Sequence, residues 1–108
     1  MENILKLKRP PTHPGELVAE NLEELGMSVA AAARHLNVSR GHLHRIIAGK
    51  SPVSGDVAVR LGRMFGNGPG LWARMQLAHD LWHAERAVPE GEVCRIVVAE
   101  TGDGAPST

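Results

Sequence analysis

The sequence predicts an all-α domain of five helices with one short C-terminal strand, on three observations. Aromatic content is 3%, confined to Phe65, Trp72 and Trp82, whereas strands favour aromatic and β-branched residues. The middle of the chain is rich in Ala, Leu and Arg, which favour helix. The only β-branched run is Val93-Cys94-Arg95-Ile96-Val97-Val98, which reads as a single strand.

Residues 1–12 end in Pro10-Pro11 and read as an extended N-terminal arm. Thr12 or His13 then precedes Pro14, whose fixed φ suits the first position of a helix, with Glu16 in its first turn. Leu17, Val18, Leu22 and Leu25 recur at helical spacing and Gly26 closes this first helix. Ser28 is the expected N-cap of a second helix through Leu36, and Ser39 that of a third through Ala48, with Asn37 between them and Gly49 after. Ser54 or Gly55 starts a fourth helix with Val57, Ala58, Leu61 and Phe65 on one side. The break Gly66-Asn67-Gly68-Pro69-Gly70 separates it from a fifth helix. That helix runs to about Arg86, with Leu71, Trp72, Met75, Ala78, Leu81 and Trp82 on its apolar side. Pro89 and Gly91 end it. The expected organisation is an arm (1–12), a helical domain (13–86), a C-terminal strand segment (87–100) and a disordered polar tail (101–108).

A lone strand leaves its N–H and C=O groups unpaired. No second strand is evident, so the expectation is that 87–100 pairs with its copy across the two-fold axis of a homodimer. The alternative is an irregular segment packed on the helices.

The length of 108 residues fits one domain. The longest stretch without charge, Met64 to Ala73, is ten residues, against the roughly 20 apolar residues of a spanning helix. No membrane partner is expected. Glu2, Lys6, Lys8 and Arg9 interrupt any signal-like apolar region, and the single Cys94 forms no internal disulfide, in keeping with a reducing, cytoplasmic setting. Net charge is zero, which at first sight argues against nucleic acid. The charge is segregated, however. The 31 residues from Leu25 to Gly55 hold Arg34, Arg40, Arg45, Lys50 and three histidines but no acid. Glu16, Glu20, Glu23 and Glu24 precede the block, Asp56 follows it, and five acids against two bases lie from Glu85 onward. Such a chain presents different surfaces to different partners; a solvated helix face is the bland alternative.

The acid-free block has the spacing of a helix-turn-helix. Counting Val29 as the first position, small Ala32 and Ala33 fall fourth and fifth, where two helices approach closely. Asn37 sits in the turn and tolerates positive φ. Leu43 and Ile46 fall fifteenth and eighteenth, pointing back into the core. The second helix of such a pair enters the DNA major groove. With Leu43, Ile46 and Ile47 inward, Arg40, Gly41, His42, His44 and Arg45 face outward. Arg binds guanine O6 and N7 with both arms of its guanidinium, Gly41 permits close backbone approach, and His44 can donate to a base edge or phosphate. Ser28 and Ser39 head helices whose free N–H groups suit phosphate, and Lys50 with Ser51 lies just beyond. The DNA-binding candidates are therefore Ser28, Ser39, Arg40, Gly41, His44, Arg45 and Lys50.

These residues also carry a resemblance. His13-Pro14-Gly15-Glu16-Leu17, Leu25-Gly26-Met27-Ser28, Val38-Ser39-Arg40, Leu43-His44-Arg45-Ile46-Ile47-Ala48-Gly49-Lys50, Ala58-Val59-Arg60-Leu61 and Phe65-Gly66, with Trp72, Gln76 and Asp80-Leu81, are similar to HigA-type (VapI-type) antitoxins of the XRE helix-turn-helix class. The resemblance covers about residues 13–84. Two positions depart from the pattern: Val29 stands where Gln is common, and Asn37 where the turn residue is usually Gly. The resemblance implies a five-helix lambda-repressor-like fold. It also implies an antitoxin of a type II toxin–antitoxin system, with two partners besides its own copy. One is a RelE-like mRNA-cleaving toxin, which it neutralises; the other is double-stranded, palindromic operator DNA, which it binds as a homodimer to repress its own operon. The alternatives are a solitary XRE-type regulator without a toxin, and a neutralising protein that no longer binds DNA.

Other chemistry is not expected. His79 and His83 are four apart, as in helical zinc sites, but no third ligand is evident, so no metal is assigned. Asp80 is expected to make a structural hydrogen bond or ion pair, with Arg74 or Arg86 as the nearest bases. Cys94 is expected to be at least half-buried. No phosphate-binding loop or nucleophile triad is present, so neither a cofactor nor an enzymatic activity is assigned.

Overall fold

The computed structural model describes residues 2–98. The expected tail at 101–108, and the last two residues of the 87–100 segment, lie outside the described residues. Six helices follow one another: α1 (Glu2–Leu5), α2 (Pro14–Leu25), α3 (Val29–Leu36), α4 (Arg40–Ile47), α5 (Gly55–Phe65) and α6 (Pro69–Ala87). The five predicted helices are α2 to α6. The addition is α1, one turn inside the arm that reads as extended; its cause is tertiary, because α1 packs against α6.

Local chemistry fixes the ends. His13 caps α2 with its side chain, and Ser28, Ser39 and Ser54 cap α3, α4 and α5. Of the paired alternatives, His13 rather than Thr12 and Ser54 rather than Gly55 hold the capping position. Left-handed residues end three helices: Gly26 after α2, Gly66 after α5, and Asn37 at φ 59°, ψ 45° after α3. Asn37 is the only non-glycine residue with positive φ among those described, as the turn requires.

The core draws on every element from α2 onward: Val18 and Leu22, Ala32, Ala33 and Leu36, Leu43 and Ile46, Val53, Val57, Ala58 and Leu61, and Trp72. Ala32 and Ala33 are buried on the inner side of α3, which packs against α4 and α5. Gly15 has an equally physical reason. A Cβ there would land on the Ile46 carbonyl, so α2 starts directly on the end of α4. Trp72 is fully buried with its indole N–H donating to Asn67 Oδ1 at 2.9 Å, and its ring lies 5.7 Å from that of Phe65.

Three expectations fail. Residues 94–98 form no strand. Val93, Ile96 and Val97 are 79 to 89% exposed, because a β-branched run becomes a strand only when an edge accepts its N–H and C=O groups, and none of the described residues provides one. Cys94 is accordingly exposed. Leu25 is 60% exposed: it stands at the last turn of α2, beyond the reach of the core. Among the described residues no helix is long and apolar enough to cross a membrane.

Candidate nucleic-acid interface

The helix-turn-helix is α3, the Asn37 turn and α4. Leu43 and Ile46 are fully buried, which anchors α4 against α2 and α3. The opposite side of α4 is therefore left to solvent. Arg40, Gly41, His44 and Arg45 are all exposed, while His42 is half-buried at the flank. Ser28, Ser39 and Lys50 are exposed as well. The seven predicted residues thus share two helix N-termini, one helix face and the loop that follows it.

The two serine oxygens act as helix caps and keep their O–H donors. Ser28 Oγ accepts from the Ala31 N–H at 3.1 Å and Ser39 Oγ from the His42 N–H at 3.0 Å. The main chain is available as well: the first N–H groups of each helix point out of its N-terminus without an intrahelical acceptor, and the helix dipole favours an anion there. On α4, Arg45 folds back along the helix, so that a Cβ at Gly41 would stand 3.7 Å from Arg45 Nη1. Gly41 leaves the surface low, and the Arg45 guanidinium borders the gap. No acid interrupts this surface between Leu25 and Gly55.

Two residues outside the motif hold it in place, and sequence reading gave neither a role. Arg60 on α5 donates from Nη1 to the Leu36 carbonyl at 3.0 Å, while its Nε pairs with Asp56. It thereby satisfies a carbonyl at the C-terminus of α3, where no intrahelical donor exists. The Asp56–Arg60 spacing of four is visible in sequence; the contact with Leu36, 24 residues away, is not. Gln76 on α6 is 6% exposed. Its Oε1 accepts from the Val53 N–H at 2.7 Å and its Nε2 donates to Asp80 Oδ1 at 2.9 Å. Asp80 therefore makes the structural hydrogen bond expected of it, but with Gln76 rather than with Arg74 or Arg86. Arg86 instead donates to the Trp82, Leu5 and Leu7 carbonyls.

Behind the loop after α4, His13 lies 7% exposed, and its Nδ1 accepts from the Gly15 N–H at 2.9 Å. Its ring meets that of His79 edge-on at a centroid distance of 5.0 Å, and His79 meets His83 at 4.6 Å. His79 Nδ1 lies 2.8 Å from the Pro11 carbonyl, which makes that nitrogen the protonated one. Burial, reinforced by neighbouring His79, pushes the His13 pKa below its ordinary 6.5, against weaker upward pulls from Asp80, Glu16 and the Ser51 main chain. Among the described residues no group of His, Cys, Asp and Glu is arranged to hold a metal ion.

Known proteins share this arrangement. The helix-turn-helix domain family matches residues 15–75. Virulence-associated protein I of Dichelobacter nodosus is 38% identical over 82 residues, 75% of this chain and 76% of that protein. Antitoxin HigA-1 of Vibrio cholerae is 34% identical over 86 residues, 79% of this chain and 81% of that protein. The structure of the Pseudomonas aeruginosa antitoxin HigA with the higBA promoter matches with a TM-score of 0.74 at 35% identity, covering 81% of this chain and 99% of that one. With the αL turn, the open face of α4 and this similarity over most of its length, the chain belongs to the HigA-type (VapI-type) antitoxin family of helix-turn-helix proteins.

Proposed function

We propose that this chain is the antitoxin of a type II toxin–antitoxin system that binds the operator of its own operon and represses it. The observation that carries the reading is the exposed, acid-free face of α4, mounted on α3 through a left-handed Asn37 turn. In this reading α4 enters the major groove. Arg40 and Arg45 read base edges, Gly41 lets the backbone approach, and His44 donates to a base or phosphate. The N-termini headed by Ser28 and Ser39, with Lys50, hold phosphates. The operator is double-stranded and palindromic, and two copies bind it with their recognition helices about 34 Å apart, one turn of DNA. The exposed apolar side chains of Val93, Ile96 and Val97 support 87–100 as the dimer contact, since a second copy would remove them from water. The toxin partner is a RelE-like mRNA-cleaving ribonuclease, and the setting is cytoplasmic.

A mobility-shift titration on the promoter fragment upstream of the operon tests the DNA half of this reading. Retardation at a palindrome, abolished on scrambled sequence, is expected; equal affinity for scrambled DNA overturns it. Co-purification with the product of the neighbouring reading frame tests the other half. DNA binding without such a partner assigns the solitary regulator, and partner capture without DNA binding assigns a neutraliser alone.

A further inference from the structure

His13 does more than start α2. Its imidazole stands behind the loop that follows the proposed recognition helix: a Cβ at Gly49 would stand 3.9 Å from His13 Cγ, and Gly49 itself holds φ 74°. His13, Gly49, Lys50, Gln76, His79 and Asp80 border one depression of about 290 Å³. The loop is pinned from α4 by the Gly49 N–H to the Ile46 carbonyl and the Lys50 N–H to the Arg45 carbonyl, and from α6 by Gln76 on the Val53 N–H. His13 fills the remaining side.

We propose that His13 is a positioning residue for Lys50, and that it holds the loop against DNA phosphate only as the neutral imidazole, so that acidification loosens the grip. This rests on the DNA-binding reading above.

The geometry demands the neutral form. Nδ1 accepts from the Gly15 N–H at 2.9 Å, and an acceptor nitrogen carries no proton. Protonation would set two donors face to face and place a cation at the N-terminus of α2, where the helix dipole opposes it. His79 on α6 acts in the same direction, and Lys50 in the loop borders the same depression. Asp80 on α6 and Glu16 on α2 pull the other way, but Asp80 is already engaged by Gln76. A downward-shifted pKa is the thermodynamic expression of this conflict. The unfolded chain binds its proton first as pH falls through about 6.5, so stability is complete above that value and declines from there toward the lower pKa of the folded chain.

The experiment measures operator affinity against salt concentration at pH 7.5 and pH 5.5 for the wild-type chain and His13→Asn. Asn keeps the capping oxygen and cannot titrate there. Every other titratable side chain is common to both proteins, so only the difference between them reports on His13. The expected result is equal salt slopes at pH 7.5 and, at pH 5.5, a shallower slope for the wild-type chain, by up to about 1.8 for the two copies on one operator, about 0.9 for each phosphate that a Lys50 no longer neutralises. Adding Lys50→Ala to both proteins should abolish that difference. A difference that survives it means that His13 acts through the fold at large, and overturns the positioning role. Equal slopes at both pH values, with DNA binding intact, overturn the proposal alone. No DNA binding by either protein at any pH overturns the functional reading beneath it. His79→Gln keeps a donor for the Pro11 carbonyl and removes the neighbouring imidazole that helps to push the His13 pKa down. It should shift the pH of half-loss upward, which tests the proposal even where His13→Asn does not fold; an unmoved midpoint contradicts it.

Discussion

The helices α4 and α6 solve opposite problems. The first has eight residues, two of them fully buried, and is closed at both ends by turns. The second has 19 residues, yet only Trp72, Gln76 and Ala78 are buried, all in its first ten positions. Beyond them α6 is covered on one side by the arm, and the hydrogen bonds across that boundary run from side chains to carbonyls: Trp82 Nε1 to Leu7 at 2.8 Å, Arg86 Nη2 to Leu5 and Leu7, and His79 to Pro11. Helix length therefore says little about how firmly a helix is held; tertiary burial decides it. The short helix is fixed by apolar contacts on its inner side, which frees its outer face for a partner. The long one keeps its second half by polar bonds at the surface.

Leu43→Ala should break the contrast most severely. It removes a fully buried side chain from α4 and should lower stability by about 2–5 kcal/mol in denaturant unfolding. Arg40→Ala, on the other face of the same helix, should leave unfolding unchanged while costing about 1–3 kcal/mol on operator DNA and relaxing sequence preference. Lys50→Ala, by comparison, should weaken binding evenly across sequences. Equal loss on operator and random DNA for Arg40→Ala would remove it as a base reader. Asn37→Val should cost about 1–2 kcal/mol of stability, because a β-branched residue resists φ 59°; an unchanged thermal midpoint refutes that view of the turn. Smallest of all, Trp82→Ala should cost about 1 kcal/mol, the scale of a surface hydrogen bond. Its clearer sign is faster tryptic cleavage after Lys6 and Lys8 with the domain still folded. Global unfolding as large as for Leu43→Ala would erase the distinction between the two helices.

The domain was legible where its determinants are local. Serine caps, the Asn37 turn and the Gly26 and Gly66 stops each act within a few residues, and the helix boundaries they imply are the observed ones. The outward face of α4 was legible for the same reason, since Leu43 and Ile46 fix which side faces in. Arg60 and Gln76 were not, because their partners lie 24 and 23 residues away and neither residue type announces such a bond. α1 was missed because its support comes from α6, across the whole chain. The 93–98 run misled for a related reason: β-branching states a preference, and only a partner edge turns it into a strand. Leu25 shows the limit of periodicity, which marks a stripe without saying where the core beneath it ends.

The arm carries one more consequence. Its hydrogen bonds to α6 through Leu5, Leu7 and Pro11 are accepted by main-chain carbonyls, and every residue type offers that group. The side chains that make these bonds are His79, Trp82 and Arg86 on α6, while α1 adds its own packing against that helix. Its exposed side chains, Lys6, Lys8 and Arg9 among them, are thus free to change without releasing it. Substitution along this edge therefore alters the surface it presents while leaving the frame beneath it unchanged.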